Sequence, residues 1–176
     1  GNLYIVTLGV NKYSRESGFS KLKYAVGDSE DIMKLFRDNA KDKYDKVIWK
    51  ELHFANDNVN RSAISTIHKV LTKTSVDDTV IFFMSGHGVR ADTFDDIALK
   101  LAKDFGLTKP VGDPAKEKGK LNIYYYMTGN SSAREPWVKG IPLFAIRHVL
   151  DRTPARQKVL LIDSCQSGEV PSLTGY

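Results

Sequence analysis

Two side chains with catalytic potential each follow directly after an apolar run of the sequence. His87 lies in the segment SGHG behind the run DTVIFFM, and Cys165 lies in DSCQSG behind the run KVLLI. A free thiol with a pKa of about 8.5 is only a few per cent thiolate at neutral pH, and a neighbouring imidazole stabilises the thiolate and later protonates a leaving amine. The two residues together predict a cysteine nucleophile with a histidine as its acid and base.

The elements that must position these two side chains follow from the spacing of apolar residues. The sequence predicts strands over 3–10, 46–54, 78–84, 121–127 and 158–162. It predicts helices over 24–39, from 58 or 60 to 71, and over 142–150. A short extra helix is expected within 93–105, followed by a loop over 106–120. This order favours an open α/β fold with a mostly parallel sheet and helices on both faces, and with strand 121–127 at an edge or in a hairpin.

The carboxyl ends of parallel strands collect reactive groups at one edge of a sheet. Neighbouring strands are about 4.8 Å apart, so His87 and Cys165 come within a few ångströms of each other if their strands pair and each ends in a turn. The backbone N–H groups of Gly88 and Cys165 could then face a developing oxyanion. Each residue also has an ordinary alternative, a small core residue for Cys165 and a turn residue for His87. His53, His68 and His148 have no such setting, and we expect them to pack or to face solvent.

Composition narrows the class of protein. The chain has 176 residues, 41% of them hydrophobic and 27% charged, which is typical of one soluble domain. No apolar run approaches the roughly 18 residues of a membrane-spanning helix, and the first residues do not form a signal peptide. A single cysteine suits a reducing compartment, so we expect a cytoplasmic protein. Phosphate-binding glycine loops, a serine nucleophile elbow and zinc-binding motifs do not occur in the sequence.

The net charge of +5 permits an acidic partner. The lysines and arginines are scattered along the chain, however, which favours a solvated surface over a stripe that binds nucleic acid. Direct contact with nucleic acid is therefore the least favoured function, and no contact with a membrane is expected.

Both motifs in this order resemble those of the caspase-like cysteine peptidases, most closely metacaspases and their bacterial relatives, the orthocaspases. The opening segments 9–13 (GVNKY) and 22–29 (LKYAVGDS) fit as well, so that the resemblance runs from about Leu3 to Glu169. It implies a caspase-like fold, a three-layer α-β-α sandwich around a mostly parallel sheet. It also implies that the histidine strand lies between the cysteine strand and the first strand of the chain.

The resemblance assigns roles to individual residues. It implies that Cys165 is the nucleophile, that His87 is the acid and base, and that Gly88 donates its N–H to the oxyanion. It further implies that Asp28 and Asp163, bordered by Ser85, form an acidic pocket for the basic side chain before the cut. Two carboxylates in a partly desolvated pocket favour a cation and repel an acidic side chain. As alternatives, Asp28 caps a helix and Asp163 braces the catalytic turn.

The sequence departs from the family in two respects. His87 and Cys165 are 165 − 87 = 78 residues apart, against about 50 in caspases, and the excess falls in an apparent inserted helix and loop over 91–120. Asp92, Asp95 and Asp96 in this segment lie where some metacaspases bind calcium, but they lack a regular ligand spacing, so we expect no metal and no cofactor, with calcium as the alternative.

The sequence stops 176 − 165 = 11 residues after Cys165, whereas family members continue into a smaller portion with further strands. The resemblance therefore implies that residues 1–176 form the large-subunit part of a caspase-like peptidase domain, with the small-subunit part or C-terminal remainder as a partner and a sensor domain as a possible regulator. The expected function is regulatory cleavage of protein substrates after Arg or Lys. The alternatives are a catalytically silent scaffold of the same fold and a basic module that binds nucleic acid.

Overall fold

Two sheets organise residues 1–164, the part of the chain that this computed structural model describes. The strands are β1 (Leu3–Gly9), β2 (Val47–Ile48), β3 (His53–Ala55), β4 (Thr79–Gly86), β5 (Gly88–Phe94), β6 (Asp113–Pro114), β7 (Lys120–Tyr126), β8 (Ile141–Pro142) and β9 (Gln157–Ser164). The helices are α1 (Ala25–Ala40), α2 (Arg61–Leu71), α3 (Asp95–Asp104), α4 (Pro136–Lys139) and α5 (Leu143–Asp151). The predicted α/β class is confirmed.

The first sheet is parallel and has the order β2-β1-β4-β9, with β3 also paired to β1. β4 lies between β1 and β9, so the strand before His87 has as its neighbours the first strand and the strand before Cys165, as expected. Its register with β9 extends to the last residues of both strands, where Ser85 pairs with Asp163 and Gly86 with Ser164.

The apolar character of β4 follows from its central position. All eight of its residues are buried, because α1 covers one face of the sheet while α2, α5 and the second sheet cover the other. Met33 of α1 packs on Leu3, Ile5 and Ile81, whose side chains point to the same face. A parallel strand that is covered on both faces needs a continuous apolar run, and this is the pattern from which β4 was predicted.

The second sheet is antiparallel and has the order β5-β7-β6, with β8 paired to the far end of β7. Of the two alternatives predicted for β7, the hairpin is confirmed, because β6 and β7 are consecutive antiparallel strands, and the edge position is wrong, because β7 pairs with strands on both sides. Its three tyrosines, Tyr124, Tyr125 and Tyr126, are buried, and the hydroxyl of Tyr125 lies 2.8 Å from that of Thr93. Burial raises the pKa of Tyr125 to about 12.

The structure corrects three further expectations about individual segments. Residues 46–54 form two short strands separated by a 3-10 turn over Lys50–Leu52, instead of one strand. Pro142 precedes α5 as its N-cap rather than lying within the first turn. Segment 85–88 is not a turn, because β4 runs through Gly86 and β5 begins at Gly88. His87 is thus the single residue where the chain passes from the parallel sheet to the antiparallel one.

Segment 91–120 contains the end of β5, the predicted extra helix as α3, and a long connection that carries the two-residue strand β6. α3 buries Ala98, Leu101 and Ala102 against the main core. The segment is therefore packed into the fold at its start, while residues 106–120 are largely exposed. Within residues 1–164, the helices are all too short or too polar to cross a membrane.

A close approach between β1 and α1 generates the first prediction. A Cβ atom on Gly9 would lie 2.7 Å from the carbonyl oxygen of Ala25 and 2.8 Å from the Cα of Val26. Both are backbone atoms that cannot move without displacing the helix. We expect Gly9→Ala to lower the free energy of unfolding by about 2 kcal/mol, measured by urea titration of the full-length protein.

Gly27→Ala is the matched control, because Gly27 lies in α1, the helix that contacts Gly9, and a Cβ atom at Gly27 would meet no atom within 4 Å. Alanine is the better helix former, so this change should raise the free energy of unfolding by about 0.5 to 1 kcal/mol. Equal stability of the two variants would contradict the described packing of α1 on β1.

Candidate active site

The imidazole of His87 packs against two aromatic rings from the segment that follows β1, and these two rings also contact each other, with 5.7 Å between their centroids. It stacks on Phe19 with 5.0 Å between ring centroids and an interplanar angle of 24°, and it lies 4.8 Å from the ring of Tyr13 at an angle of 58°. Tyr13 is buried and Phe19 is half-buried. The two rings restrict the orientation of the imidazole while one edge remains accessible, since His87 is only partly buried.

Hydrogen bonds fix both the backbone and the ring of His87. The ring atom Nε2 lies 2.9 Å from the carbonyl oxygen of Ser20. A carbonyl can only accept, so Nε2 carries the hydrogen and Nδ1 of the neutral ring remains an acceptor. The backbone N–H of His87 donates to the hydroxyl of Tyr13 at 2.9 Å, and its carbonyl accepts from the N–H of Met127, also at 2.9 Å. The arrangement presents one basic nitrogen on a rigidly held ring.

Gly86 allows the two sheets to meet beside this histidine. Its φ is +154°, and a Cβ atom there would lie 2.9 Å from the hydroxyl oxygen of Tyr13 and 3.1 Å from that of Tyr126. The Tyr126 hydroxyl in turn donates to the carbonyl of Ser85 at 2.7 Å. Burial raises the pKa of Tyr126 well above its usual value, so the hydroxyl stays a neutral donor. Glycine is therefore required for this close approach.

The end of β9 is tied to both sheets. The hydroxyl of Ser85 donates to a carboxylate oxygen of Asp163 at 3.2 Å, and the hydroxyls of Tyr124 and Ser164 contact each other. Asp163 thus braces the end of the histidine strand, as one of the two alternatives for this residue predicts. Cys165, the predicted nucleophile and oxyanion donor, lies outside the described residues.

The predicted pocket residues lie on one face of the parallel sheet. Side chains alternate along a strand, so Ser85 and its partner Asp163 point to the face that also carries Ile81 and is covered by α1. Asp28 lies in the first turn of α1, directly above the end of β1. The structure therefore joins Ser85 to Asp163 by a hydrogen bond and places Asp28 on the same face without a direct contact.

Asp28 does not cap its helix through its side chain. The N-cap of α1 is Tyr24, and in residues 1–164 the Asp28 carboxylate accepts no hydrogen bond and forms no ion pair, while its own N–H donates to the carbonyl of Tyr24 at 2.7 Å. The capping alternative is wrong in that form. The half-buried carboxylate in the first turn still gains from the positive end of the helix dipole, which keeps a negative charge favourable at this place.

Gly88 starts β5 opposite Tyr126. The preceding pair, His87 and Met127, is hydrogen-bonded, and pairs of an antiparallel ladder alternate between bonded and non-bonded positions. The N–H of Gly88 therefore points away from β7. The role of this N–H as an oxyanion donor stays a prediction.

The other candidate residues have structural partners. Nδ1 of His53 lies 2.7 Å from the hydroxyl of Thr7, and burial lowers the pKa of His53. His68 and His148 face each other edge to face at 6.2 Å. These contacts agree with the expected packing roles.

Asp92 accepts a hydrogen bond from Asn122 at 2.7 Å, while Asp95 and Asp96 begin α3. In residues 1–164, no three His, Cys, Asp or Glu side chains come together in a group that could hold a metal ion.

Sequence reasoning did not identify the residues that position the imidazole, namely Tyr13, Phe19 and Ser20. The sequence carries a weak signal for the first of them, since Tyr13 follows β1 at the same edge of the sheet as His87. Nothing local distinguishes Phe19 or Ser20, because their contacts join residues 67 or more positions apart in the chain.

Comparisons with known proteins give a similarity in fold and no match in sequence. No protein-family model matches the sequence, and no curated protein matches it. Among solved structures, the chain is similar to protein GSU0716 from Geobacter sulfurreducens, a structural genomics target, with a TM-score of 0.60 and 16% sequence identity. The match covers 94% of this chain and 51% of that one, so the chain spans about half the length of its neighbour. The α/β architecture described above is thus found in a solved protein.

The hydrogen bond between His87 and Ser20 predicts the tautomer of the free imidazole. At about pH 9, where imidazole is neutral, the ¹⁵N chemical shifts of the His87 ring should show hydrogen on Nε2 and none on Nδ1. His87→Gln assigns the signals, because it removes them. Hydrogen on Nδ1 would contradict the described orientation of the ring.

Proposed function

We propose that the protein is a cysteine endopeptidase of the caspase-like group, in which Cys165 is the nucleophile and His87 the general acid and base. The observation that carries this proposal is the parallel pairing of β4 with β9 up to Gly86 and Ser164. His87 and Cys165 are the next residues after these two partners. The proposal includes a caspase-like three-layer arrangement for the whole domain.

Covalent geometry limits how far apart the two residues can be. Paired strands are about 4.8 Å apart, and one trans peptide unit spans 3.8 Å between Cα atoms. The Cα of Cys165 is therefore within about 4 Å of that of Ser164, which is itself opposite Gly86. A thiol and an imidazole on adjacent positions of such a pair have the reach to share a proton.

The chemistry assigned to the pair is acyl transfer. Nδ1 of His87 takes the thiol proton, and the thiolate attacks the scissile carbonyl carbon to form a C–S bond. The N–H groups of Gly88 and Cys165 donate to the resulting oxyanion. Nδ1 then gives its proton to the leaving amine as the C–N bond breaks. Water hydrolyses the acyl-enzyme with the same nitrogen as base, and the Ser20 carbonyl stabilises the charged imidazolium through Nε2–H.

The pocket assignment rests on charge at one face of the sheet. Asp163 and Ser85 are linked, and Asp28 projects from the helix that covers the same face with its carboxylate unpaired in the described part of the chain. Such a set attracts an Arg or Lys side chain and repels an acidic one. The cleavage site is therefore proposed to follow a basic residue, which suits selective, regulatory proteolysis.

The edge of the parallel sheet indicates the kind of partner that completes the domain. β9 pairs with β4 on one side and with no strand of residues 1–164 on the other, and Val159 at its middle is 45% exposed. A bare strand edge is an association surface. We propose that further strands, from the remainder of the same protein, pair with β9. The same edge supports the alternative of a silent scaffold.

Peptide cleavage tests the proposal. The full-length protein should cleave fluorogenic peptides after Arg or Lys and not after Asp, and Cys165→Ala should remove this cleavage entirely, because no other cysteine exists in the sequence. Cleavage that persists in Cys165→Ala would contradict the assigned nucleophile. Cleavage after Asp alone would contradict the acidic pocket while leaving the nucleophile in place.

Variants of single carboxylates measure how much each residue of the proposed pocket contributes to cleavage after Arg. We expect Asp28→Asn and Asp163→Asn to lower kcat/KM for Arg peptides by about two- to five-fold each, the usual range for partly exposed charge pairs. Asp31→Asn serves as the control, because this carboxylate lies on the same helix, is 80% exposed and faces Lys34. An equal loss in all three variants would contradict a local pocket.

A further inference from the structure

An open cavity of about 620 Å³ lies beside Tyr13, one of the two aromatic residues that contact His87, on the side away from β9. Its walls include Lys12, Tyr13, Lys21, Asp57 and Asn130, from the segment after β1, the 3-10 turn after β3 and the loop after β7. A volume of this size is within the range of ligand-binding clefts, and none of the roles assigned so far uses it.

The cavity is continuous with the residues that hold the imidazole. Tyr13 forms part of its wall and also contacts the ring of His87, with 4.8 Å between centroids. Lys21 directly follows Ser20, whose carbonyl accepts from Nε2 of His87. A peptide in contact with His87 that extends past Tyr13 and Lys21 therefore reaches this cavity.

The order of the strands gives the direction of such a peptide. Across the sheet, the end of β9 comes first, then His87 after β4, then the segment that follows β1. The attacking sulfur belongs to the β9 side, and the leaving amine must lie within reach of the imidazole that protonates it. The part of the substrate after the scissile bond thus departs on the far side of His87 and reaches the cavity.

The charge of the cavity indicates what it binds. Lys12 and Lys21 are exposed, and neither forms an ion pair within residues 1–164. Asp57 is the one acidic residue among the cavity walls that the structure describes, which leaves a net charge of +1. Asp163, at the end of β9, provides the opposite charge at the other side of His87. The two sides of the site therefore favour substrate residues of opposite sign.

We propose that this cavity binds acidic side chains that follow the scissile bond, so that the preferred substrate is a peptide with a basic residue before the cut and Glu or Asp within the next three positions. The inference rests on the proposed peptidase function and adds a second specificity site to it. Lys12 and Lys21 attract the carboxylate, and Asp57 opposes it.

The kinetic experiment compares two peptides that differ in one group. Both carry Arg before the cut, and one has Glu while the other has Gln at the second position after it. The full-length protein should cleave the Glu peptide about five-fold faster in kcat/KM at low salt. Lys12→Gln combined with Lys21→Gln should lower the ratio of kcat/KM for the Glu peptide to that for the Gln peptide to about one, and Asp57→Asn should increase this ratio. Lys69→Gln, on the exposed face of α2, removes the same charge elsewhere and should leave the ratio unchanged.

A binding measurement separates this inference from the peptidase proposal. The Cys165→Ala protein is titrated with labelled peptides that start with the residues after the cut and contain Glu or Gln. Tighter binding of the Glu peptide, lost in the double lysine variant, supports the cavity assignment even if no peptide is cleaved. Equal binding and equal cleavage of the two peptides overturn the inference, and efficient cleavage after Arg in that case leaves the peptidase proposal standing.

Discussion

The parallel hydrogen-bonded pairing of β4 with β1 and β9 is the constraint on which the rest of the structure depends. It requires a strand buried on both faces, which explains the unbroken apolar run from Thr79 to Met84. It also fixes the register in which Ser85 lies opposite both Gly9 and Asp163. A shift by one residue would move every core side chain to the other face, so the positions at the ends of the strands are determined by packing some distance away.

At the end of β4 the chain leaves one sheet and enters another, and the single residue between them is His87. The antiparallel sheet brings Tyr126 under the Ser85 carbonyl and Met127 against the carbonyl of His87, while the segment after β1 supplies Tyr13, Phe19 and Ser20. The backbone of His87 is thus held by the antiparallel sheet and by Tyr13, and its imidazole by the segment after β1. A ring preorganised in this way needs little rearrangement to accept a proton and to release it.

The local sequence pattern was sufficient to predict several strands and helices. The buried strands, the helices α1 and α2 and the cap of α2 by Asn60 follow from apolar spacing and capping chemistry. The pairing of β5 with β7 was missed, because short runs of apolar residues do not reveal their partners and this pairing joins residues 26 to 38 positions apart in the sequence. The contacts of His87 with Tyr13, Phe19 and Ser20 were missed for the same reason. The candidate pocket was predicted through resemblance, and among its residues the structure joins Ser85 to Asp163 by a hydrogen bond.

The central claim is that His87 activates Cys165. The most direct test is the rate of Cys165 alkylation by iodoacetamide as a function of pH, in the full-length protein and in His87→Gln, since the chain has a single thiol. The account predicts a thiolate that forms well below the ordinary pKa of about 8.5 and a return to about 8.5 in the variant. Identical profiles for the two proteins, both with a midpoint near 8.5, would contradict it.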